Sequence, residues 1–207
     1  MKIFNDIFTR IASRENLFDA WDAFRIGKQK KPDVLAFEWN LEPNLFKLHR
    51  ELRAGAYQHG PYQSFHIRDP KPRHIHKATV RDRIVHHALY NILNPIFEPA
   101  FIADSFSCRI GKGTHKGVSR LHGLLRKVSR NNTKPCYALK CDIQKFFASV
   151  DQKILLSQIR KRIRDVRTLD LIERVITSYD AVGTRERERE RERVKMRGAA
   201  SACQSGI

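Results

Sequence analysis

The sequence predicts an α+β fold that is mostly helical, with short antiparallel strands. Apolar residues recur at helical spacing in several segments, and one segment between turn signals alternates as a strand would. The 207 residues suit one domain, or one domain with an extension, and can bury a sizeable core. The formal charge of +18 predicts a nucleic acid or another polyanion as partner, the alternative being a solvated basic surface.

Several classes of protein and site are disfavoured. No apolar run approaches the ~18–20 residues of a membrane span, and the amino terminus is too charged for a signal peptide. The cysteines lack CxxC spacing, so zinc is unsupported, and we interpret them as reduced thiols of a cytoplasmic protein: Cys108, Cys136, Cys141 and Cys203. The pairs His74/His76 and His86/His87 lack a third ligand, which favours core or nucleic-acid-facing roles.

Two packing helices are predicted first, in an amino-terminal helical extension over residues 1–56. The first covers residues 14–28, with Leu17, Phe18, Trp21 and Phe24 at helical spacing. The second runs from Asn40 to about Ala54 and ends before Gly55; its apolar stripe is Leu41, Leu45, Leu48 and Leu52.

A basic β-hairpin and a third helix follow. Turn signals at Gly60-Pro61 and Asp69-Pro70 enclose a weakly alternating strand, Tyr62–Arg68, with a returning strand at Arg73–His76. Apolar residues from Thr79 to Leu93 have helical period. The positive charges between Arg68 and Arg83 suit a phosphate-rich ligand, or else form a solvated face with Asp69 and Asp82 as internal partners.

A glycine loop, Cys108–His115, precedes a helix predicted at about Lys116–Ser129. Its backbone N–H groups could contact a phosphate, although the loop lacks the spacing of a P-loop and a plain basic turn is equally compatible. A strand is predicted over Cys136–Ile143, where Asp142 could bind Mg²⁺ or serve a structural role. Helices are then expected at Gln152–Ile163 and Thr168–Tyr179.

The carboxyl-terminal segment is of low complexity. The run RERERERER at Arg185–Arg193 alternates opposite charges and can bury nothing. We therefore expect a solvated, weakly ordered tail over residues 183–207.

The order of four segments resembles a known family. The basic hairpin is followed by ATVRDRIVHHALYNILNPIFE, DSFSCRIGKGTHKGV and YALKCDIQKFFASVD. This order resembles the amino-terminal half of bacterial reverse transcriptases of the group II intron, retron and diversity-generating type, over about residues 14–180. The resemblance implies a right-hand polymerase fold, with fingers at residues 57–134 and the start of the palm, with motif A, at residues 135–182.

The resemblance also implies roles for individual residues. Asp142 would bind the two catalytic Mg²⁺ ions with help from the Ile143 carbonyl, and Phe147 would exclude a 2′-OH and so favour dNTPs. Arg73 and Arg81 would contact the triphosphate. The remaining implied contacts are with nucleic acid: Arg83, Arg109 and Lys112.

The implied activity is RNA-directed DNA polymerisation, which adds dNTPs to a DNA primer on an RNA template. The sequence departs from the family at Ala148, where Asp is common, and contains neither GLPxG nor the Tyr-x-Asp-Asp hairpin that completes the metal site. We therefore expect an incomplete domain, truncated and inactive by itself. The alternatives are a non-catalytic RNA-binding module derived from fingers and an unrelated basic structural protein. The sequence indicates no oligomeric state.

Overall fold

The computed structural model of this protein describes residues 2–143 and 146–179, without the side chains of Phe147 and Ala148. Within that part the fold is mostly helical with one two-stranded antiparallel sheet, which confirms the α+β class. The finer assignment to polymerase fingers and palm stays a prediction. The tail predicted at residues 183–207 lies outside the described residues.

The elements follow the predicted order closely. The described helices are α1 (Phe8–Ile11), α2 (Arg14–Arg25), α3 (Pro32–Glu38), α4 (Leu41–Arg53), α5 (Val80–Phe97), α6 (Thr114–Val128), α7 (Phe146–Ser149), α8 (Gln152–Arg160) and α9 (residues 166–179). Strands β1 (Gln63–Arg68) and β2 (Pro72–Lys77) pair antiparallel, with Gln63 opposite Lys77 and Arg68 opposite Pro72. Helices α1, α3 and α7 were not predicted, and α5 continues past the predicted end at Leu93 with Pro95 inside it.

The contacts divide the chain into two compact units. One contains the residues up to Asn94 together with the described residues from Ala148, and the other contains Pro95–Phe147. No helix in the described ranges is both long enough and apolar enough to cross a bilayer. The predicted division into extension, fingers, palm and tail stays a prediction.

The first unit has an aromatic and aliphatic core. Its fully buried side chains include Trp21, Phe24, Ile11, Leu17, Leu45, Leu48, Leu52, Ile84 and Val85. The buried Asn16 amide nitrogen connects three helices, because it donates to the backbone carbonyls of Ile11 and Ala88, at 2.9 and 3.0 Å, while the Asn16 oxygen accepts from Asn91. The apolar stripes predicted in the sequence are therefore the faces that pack together.

Helix α9 contacts the end of α4 through arginines. Helix α4 leaves carbonyl groups without intrahelical partners at its carboxyl end. Arg167 donates to the Arg53 carbonyl at 2.5 Å, and Arg174 donates to the carbonyls of Gly55 and Tyr57 at 3.1 and 2.9 Å. These positive charges lie near the carboxyl end of α4, where they interact favourably with the negative end of the helix dipole.

The second unit has little buried apolar surface. Among its described residues only Ile96 and Ser129 are buried, and α6 buries none of its side chains. The apolar side chains of α6 at Val118, Leu121 and Val128 are exposed. The second unit therefore buries less apolar surface than the first, and this difference affects how stable each unit is.

The strand predicted over Cys136–Ile143 was wrong. The described residues 135–143 are in neither a helix nor a strand, and Tyr137 and Leu139 are 95% and 91% exposed. A strand is stabilised by hydrogen bonds to a neighbouring strand. In the described part of the chain, the sheet consists of β1 and β2, so this segment has no strand partner there.

Candidate nucleic-acid-binding site

Strands β1 and β2 form an exposed basic hairpin. All of β1 is exposed, as is the first half of β2. Arg68, Lys71 and Arg73 lie in or beside its turn and are all exposed. Arg73, which was predicted to contact a triphosphate, is therefore accessible to a phosphate-bearing ligand.

One face of this hairpin carries a row of imidazoles. The strand register places His66 opposite His74 and Ser64 opposite His76. The His66 and His74 rings stack with centroids 4.2 Å apart and planes within 3°. The His76 ring lies 4.4 Å from that of His74, and its Nδ1 lies 2.8 Å from the Ser64 hydroxyl. We call Ser64, His66, His74 and His76 the histidine face.

The histidine face could have been predicted from the positions of its histidines in the two strands. The sequence spacing of His74 and His76 indicates only a pair without a third metal ligand. Alternate residues of a strand lie on one face, and antiparallel pairing across a short turn adds the cross-strand neighbour. That rule would have placed His66 beside His74.

A buried carboxylate connects the hairpin to α5. Asp82 is fully buried, and it accepts hydrogen bonds from the Tyr57 hydroxyl at 2.9 Å, the Gly60 N–H at 3.1 Å and the Thr79 hydroxyl at 2.6 Å. Arg81 adds a charged contact at 3.3 Å. Burial and the Asp82 charge raise the pKa of Tyr57, which keeps its hydroxyl protonated as a donor. We call these five residues the Asp82 cluster.

The Asp82 cluster includes a helix cap. The Asp82 N–H donates to the Thr79 hydroxyl at 3.2 Å, so Thr79 caps the amino end of α5. A Thr followed three residues later by an acidic residue, just before an apolar run, resembles the capping-box pattern. That pattern could have identified Asp82 as structural, whereas the sequence suggested only a partner on a solvated face.

Arg81 is engaged within the protein. Its guanidinium forms an ion pair with Glu51, donates to the Gln58 carbonyl at 3.0 Å, and lies 4.7 Å from the centre of the Tyr57 ring. Its side chain is 31% exposed. The predicted triphosphate contact of Arg81 stays a prediction, and a phosphate would have to reach a guanidinium that already has these partners.

Arg83 is also held in an ion pair. Its guanidinium donates to Asp33 at 2.7 Å and lies 4.6 Å from the centre of the Phe24 ring, while Lys77 contacts the same carboxylate at 2.7 Å. Burial alone would raise the pKa of Asp33, but Lys77 and Arg83 together lower it below its ordinary value. This group joins α3, β2 and α5, and the nucleic-acid contact predicted for Arg83 stays a prediction.

Two imidazoles pair beside the Asp82 cluster. The Nε2 atoms of His59 and His86 lie 3.2 Å apart, and Nδ1 of His59 lies 2.7 Å from the Gly60 carbonyl. Since a carbonyl only accepts, His59 Nδ1 carries a proton; with both rings neutral, His86 Nε2 donates to His59 Nε2. Burial, followed by the neighbouring His59, lowers the pKa of His86 to about 4. His86 therefore has a packing role.

The glycine loop of the second unit is ordered by its own basic residues. Arg109 forms an ion pair with Glu98 at 2.8 Å and donates to the carbonyls of Ile102 and Ser105 at 2.8 and 3.0 Å. Its side chain is 11% exposed. Lys112 donates to the Ala103 carbonyl at 2.5 Å. The template contacts predicted for Arg109 and Lys112 stay predictions.

The proposed metal ligand lies in this second unit as well. Asp142 and Ile143 are both exposed, and the Phe147 side chain lies outside the described part. Mg²⁺ needs several oxygen ligands. No group of three or more His, Cys, Asp or Glu side chains among the described residues could hold a metal ion. These residues do not by themselves supply the several oxygen ligands that Mg²⁺ needs, and the predicted Mg²⁺ site stays a prediction.

Comparison with known proteins gives relatives at low identity, and no family model matches the chain. Protein YkfC of Escherichia coli is 28% identical over 131 residues, which is 62% of this chain and 34% of that protein. Nuclear intron maturase 2, mitochondrial, of Arabidopsis thaliana is 24% identical over 175 residues, or 74% of this chain and 23% of the relative. Nuclear intron maturase 1, mitochondrial, of the same plant is 29% identical over 93 residues, 45% of this chain and 12% of the relative.

The chain thus spans about a third of YkfC and less than a quarter of either maturase. It is similar at low identity to proteins named intron maturases. This similarity supports a relation to the reverse-transcriptase-type family and does not distinguish its subtypes.

Proposed function

We propose that this chain is a reverse-transcriptase-type segment of an intron-associated protein and that it binds RNA. The observation that carries the proposal is the exposed basic hairpin, in which Arg68, Lys71 and Arg73 face solvent. Lys and Arg side chains on such a surface bind phosphates without reading base sequence. The ordered motifs and the similarity to proteins named intron maturases support RNA as the polyanion.

The Asp82 cluster makes the hairpin suitable for this role. Tyr57 and Gly60 precede β1, Thr79 follows β2, and all three donate to the buried Asp82 carboxylate. The two ends of the hairpin are thereby attached to the start of α5. A surface held in this way loses less conformational freedom when it binds a ligand.

We propose polymerisation only for a protein in which further carboxylates join Asp142 at the metal site. Copying an RNA template onto a DNA primer with dNTPs requires two metal ions held between carboxylates. Asp142 is a single candidate, and the described residues supply no complete set. We therefore propose that this chain by itself binds RNA without extending a primer.

Two measurements test the proposal. Anisotropy of a labelled RNA should show binding whose affinity falls steeply with salt, with a log–log slope of about −0.7 for each phosphate contact on a single strand. The variant Arg68→Gln/Lys71→Gln/Arg73→Gln should lower both affinity and slope. The matched control Lys30→Gln/Lys31→Gln/Lys47→Gln removes as many charges from outside the hairpin and should retain most of the slope.

A primer-extension assay distinguishes RNA binding from polymerisation. The chain should bind a primed RNA template without incorporating dNTPs when Mg²⁺ is added. If the chain incorporates dNTPs and Asp142→Ala abolishes this activity, the proposal that the chain does not extend a primer would be contradicted. Absence of RNA binding at low salt would contradict all of it.

A further inference from the structure

We propose that the outer side of helix α3 is the surface through which two copies of this chain form a symmetric dimer. Its members recur at helical spacing on one side of the helix and are all exposed: Pro32, Leu35, Ala36 and Trp39. We call these four residues the α3 face. The inference does not depend on the proposed RNA binding, because it concerns residues outside the β1–β2 hairpin.

Helix α3 is apolar on both of its sides. On the inner side Val34 is buried, and the Phe37 ring stacks on the Trp21 ring with centroids 5.4 Å apart. On the outer side Trp39 is 87% exposed and Leu35 is 51% exposed. A helix that is apolar all round is typical of a buried position. The α3 face therefore has the composition of a surface that another molecule covers.

Trp39 is held on this face by the backbone of the helix. Its own backbone is helical, and its N–H donates to the Leu35 carbonyl at 3.0 Å, so the two side chains lie one turn apart. Tryptophan is enriched among the few residues that supply most of the binding energy between proteins. Trp39 is therefore the residue on which the dimer should depend most.

The charges at the two ends of the α3 face favour a second copy in the opposite orientation. Lys30 and Lys31 precede the helix, Glu42 follows it, and all three are exposed. In a two-fold dimer the same surface of each copy meets the other, so antiparallel helices bring both lysines of one copy towards Glu42 of the partner subunit. The charge pattern of this face is therefore complementary to itself.

Single-stranded RNA fits the α3 face less well. A base could stack on the Trp39 ring, but the exposed carboxylate of Glu42 follows three residues later and would repel the adjoining phosphates. Leu35 and Pro32 present aliphatic groups rather than rings on which further bases could stack. Both groups suit a protein surface, so the second copy is the occupant that the face favours.

The dimer should be weak and reversible. One short helix presents less than the ~800 Å² per partner that a stable interface of standard size buries. The net charge of +18 also opposes association of two copies. Salt at about 0.15 M screens this repulsion beyond about 8 Å, which leaves the contacts within the interface in effect.

Sedimentation velocity at increasing protein concentration tests the inference. The full chain is first freed of nucleic acid with nuclease and high salt, so that RNA cannot bridge two copies. Between about 1 and 100 µM at about 0.15 M salt, wild type should shift from monomer towards dimer. Trp39→Ser should weaken dimerisation about tenfold or more. The matched control Tyr137→Ser removes a comparably exposed ring from the second unit and should behave as wild type.

Charge reversal tests the antiparallel arrangement. Lys30→Glu/Lys31→Glu places carboxylates opposite Glu42 of the partner subunit, and Glu42→Lys places a cation opposite the two lysines. Each variant alone should therefore dimerise less than wild type, because like charges then face each other. An equal mixture of the two variants should recover association, since every facing pair again joins opposite charges. Circular dichroism verifies that each variant is folded.

Three results would overturn the inference. The first is a wild-type chain that stays monomeric at about 100 µM, which would leave the α3 face to a different protein. The second is a dimer that folded Trp39→Ser leaves unchanged, or a mixture of charge variants that associates no better than either alone. The third is a monomeric chain whose RNA affinity falls with Trp39→Ser, which would assign the face to base stacking.

Discussion

Asp82 is the residue on which the structure of the candidate site depends most directly. It is fully buried, and its carboxylate accepts from two hydroxyl groups and one backbone N–H and pairs with one guanidinium. A buried carboxylate is tolerated when its oxygens have such partners and is costly without them. Asp82 therefore determines how the segment before β1 and the start of α5 meet.

Replacing Asp82 with alanine should lower the free energy of unfolding by about 3 kcal/mol or more, because the buried Tyr57 hydroxyl and the partly buried donors at Gly60 and Thr79 lose their acceptor. Urea unfolding followed by circular dichroism measures the change. The exposed Asp19 of α2 provides the control, and Asp19→Ala should alter stability by less than about 0.5 kcal/mol. Equal losses for the two variants would contradict a special role for Asp82.

His86 should make stability depend on pH. Its pKa in the folded protein is lowered to about 4 from a usual value of 6.5, so the unfolded chain binds the proton more readily. Stability should be greatest above about pH 6.5 and fall as the pH decreases towards 4, by on the order of 3 kcal/mol at the lower limit.

Urea midpoints measured between these pH values test the effect, with His86→Gln as the comparison. The glutamine variant cannot titrate at this position, so its stability should depend less on pH over this interval. A pH profile of the same steepness in both proteins would assign the dependence to other groups.

At the scale of elements, the hairpin depends on a close approach to α5. A Cβ atom at Gly60 would lie 3.0 Å from Asp82 Oδ2 and 3.3 Å from the Thr79 methyl group. Glycine permits the loop before β1 to donate its N–H to the buried carboxylate. The basic hairpin is therefore held by backbone packing as well as by side chains.

Gly60→Ala should destabilise the protein by about 1–3 kcal/mol, because neither neighbour can move without disturbing the cap of α5. Gly123→Ala offers a matched control inside α6, where a Cβ would meet nothing within 4 Å. Alanine there should raise helix stability by up to about 1 kcal/mol. Thermal unfolding of both variants gives the comparison, and a neutral Gly60→Ala would contradict the packing argument.

At the scale of the whole molecule, the two units differ in how much apolar surface they bury. The first unit has a contiguous core that includes Trp21, Phe24 and Leu48. In the second, the described apolar residues of α6 and of the segment around Tyr137 are largely exposed. Since apolar burial is the dominant favourable term in folding, the second unit should open more easily.

Hydrogen exchange followed by mass spectrometry should detect this difference. Amides of α6 should exchange at least about tenfold faster than those of α4, which corresponds to about 1.4 kcal/mol in local opening free energy. The two helices have similar lengths and amphipathic sequences, which makes them a suitable internal comparison. Equal protection of α4 and α6 would contradict the prediction.

The sequence by itself determined the α+β class, the hairpin and most helices, because apolar periodicity and turn residues are local properties. It also determined the order of motifs and the basic charge from which RNA binding is proposed. The strand predicted at Cys136–Ile143 failed because strand formation requires a partner, which local alternation cannot supply.

Only the tertiary structure decided what the charged and titratable side chains contact. Arg81, Arg83 and Arg109 all appeared in the sequence as cations available to phosphate, yet each guanidinium is paired with a carboxylate of the protein. The stacking of His66 on His74 likewise depends on strand register. The charge of a side chain follows from the residue type alone. The partner of that side chain lies in an element that is distant in sequence and comes into contact only when the chain folds.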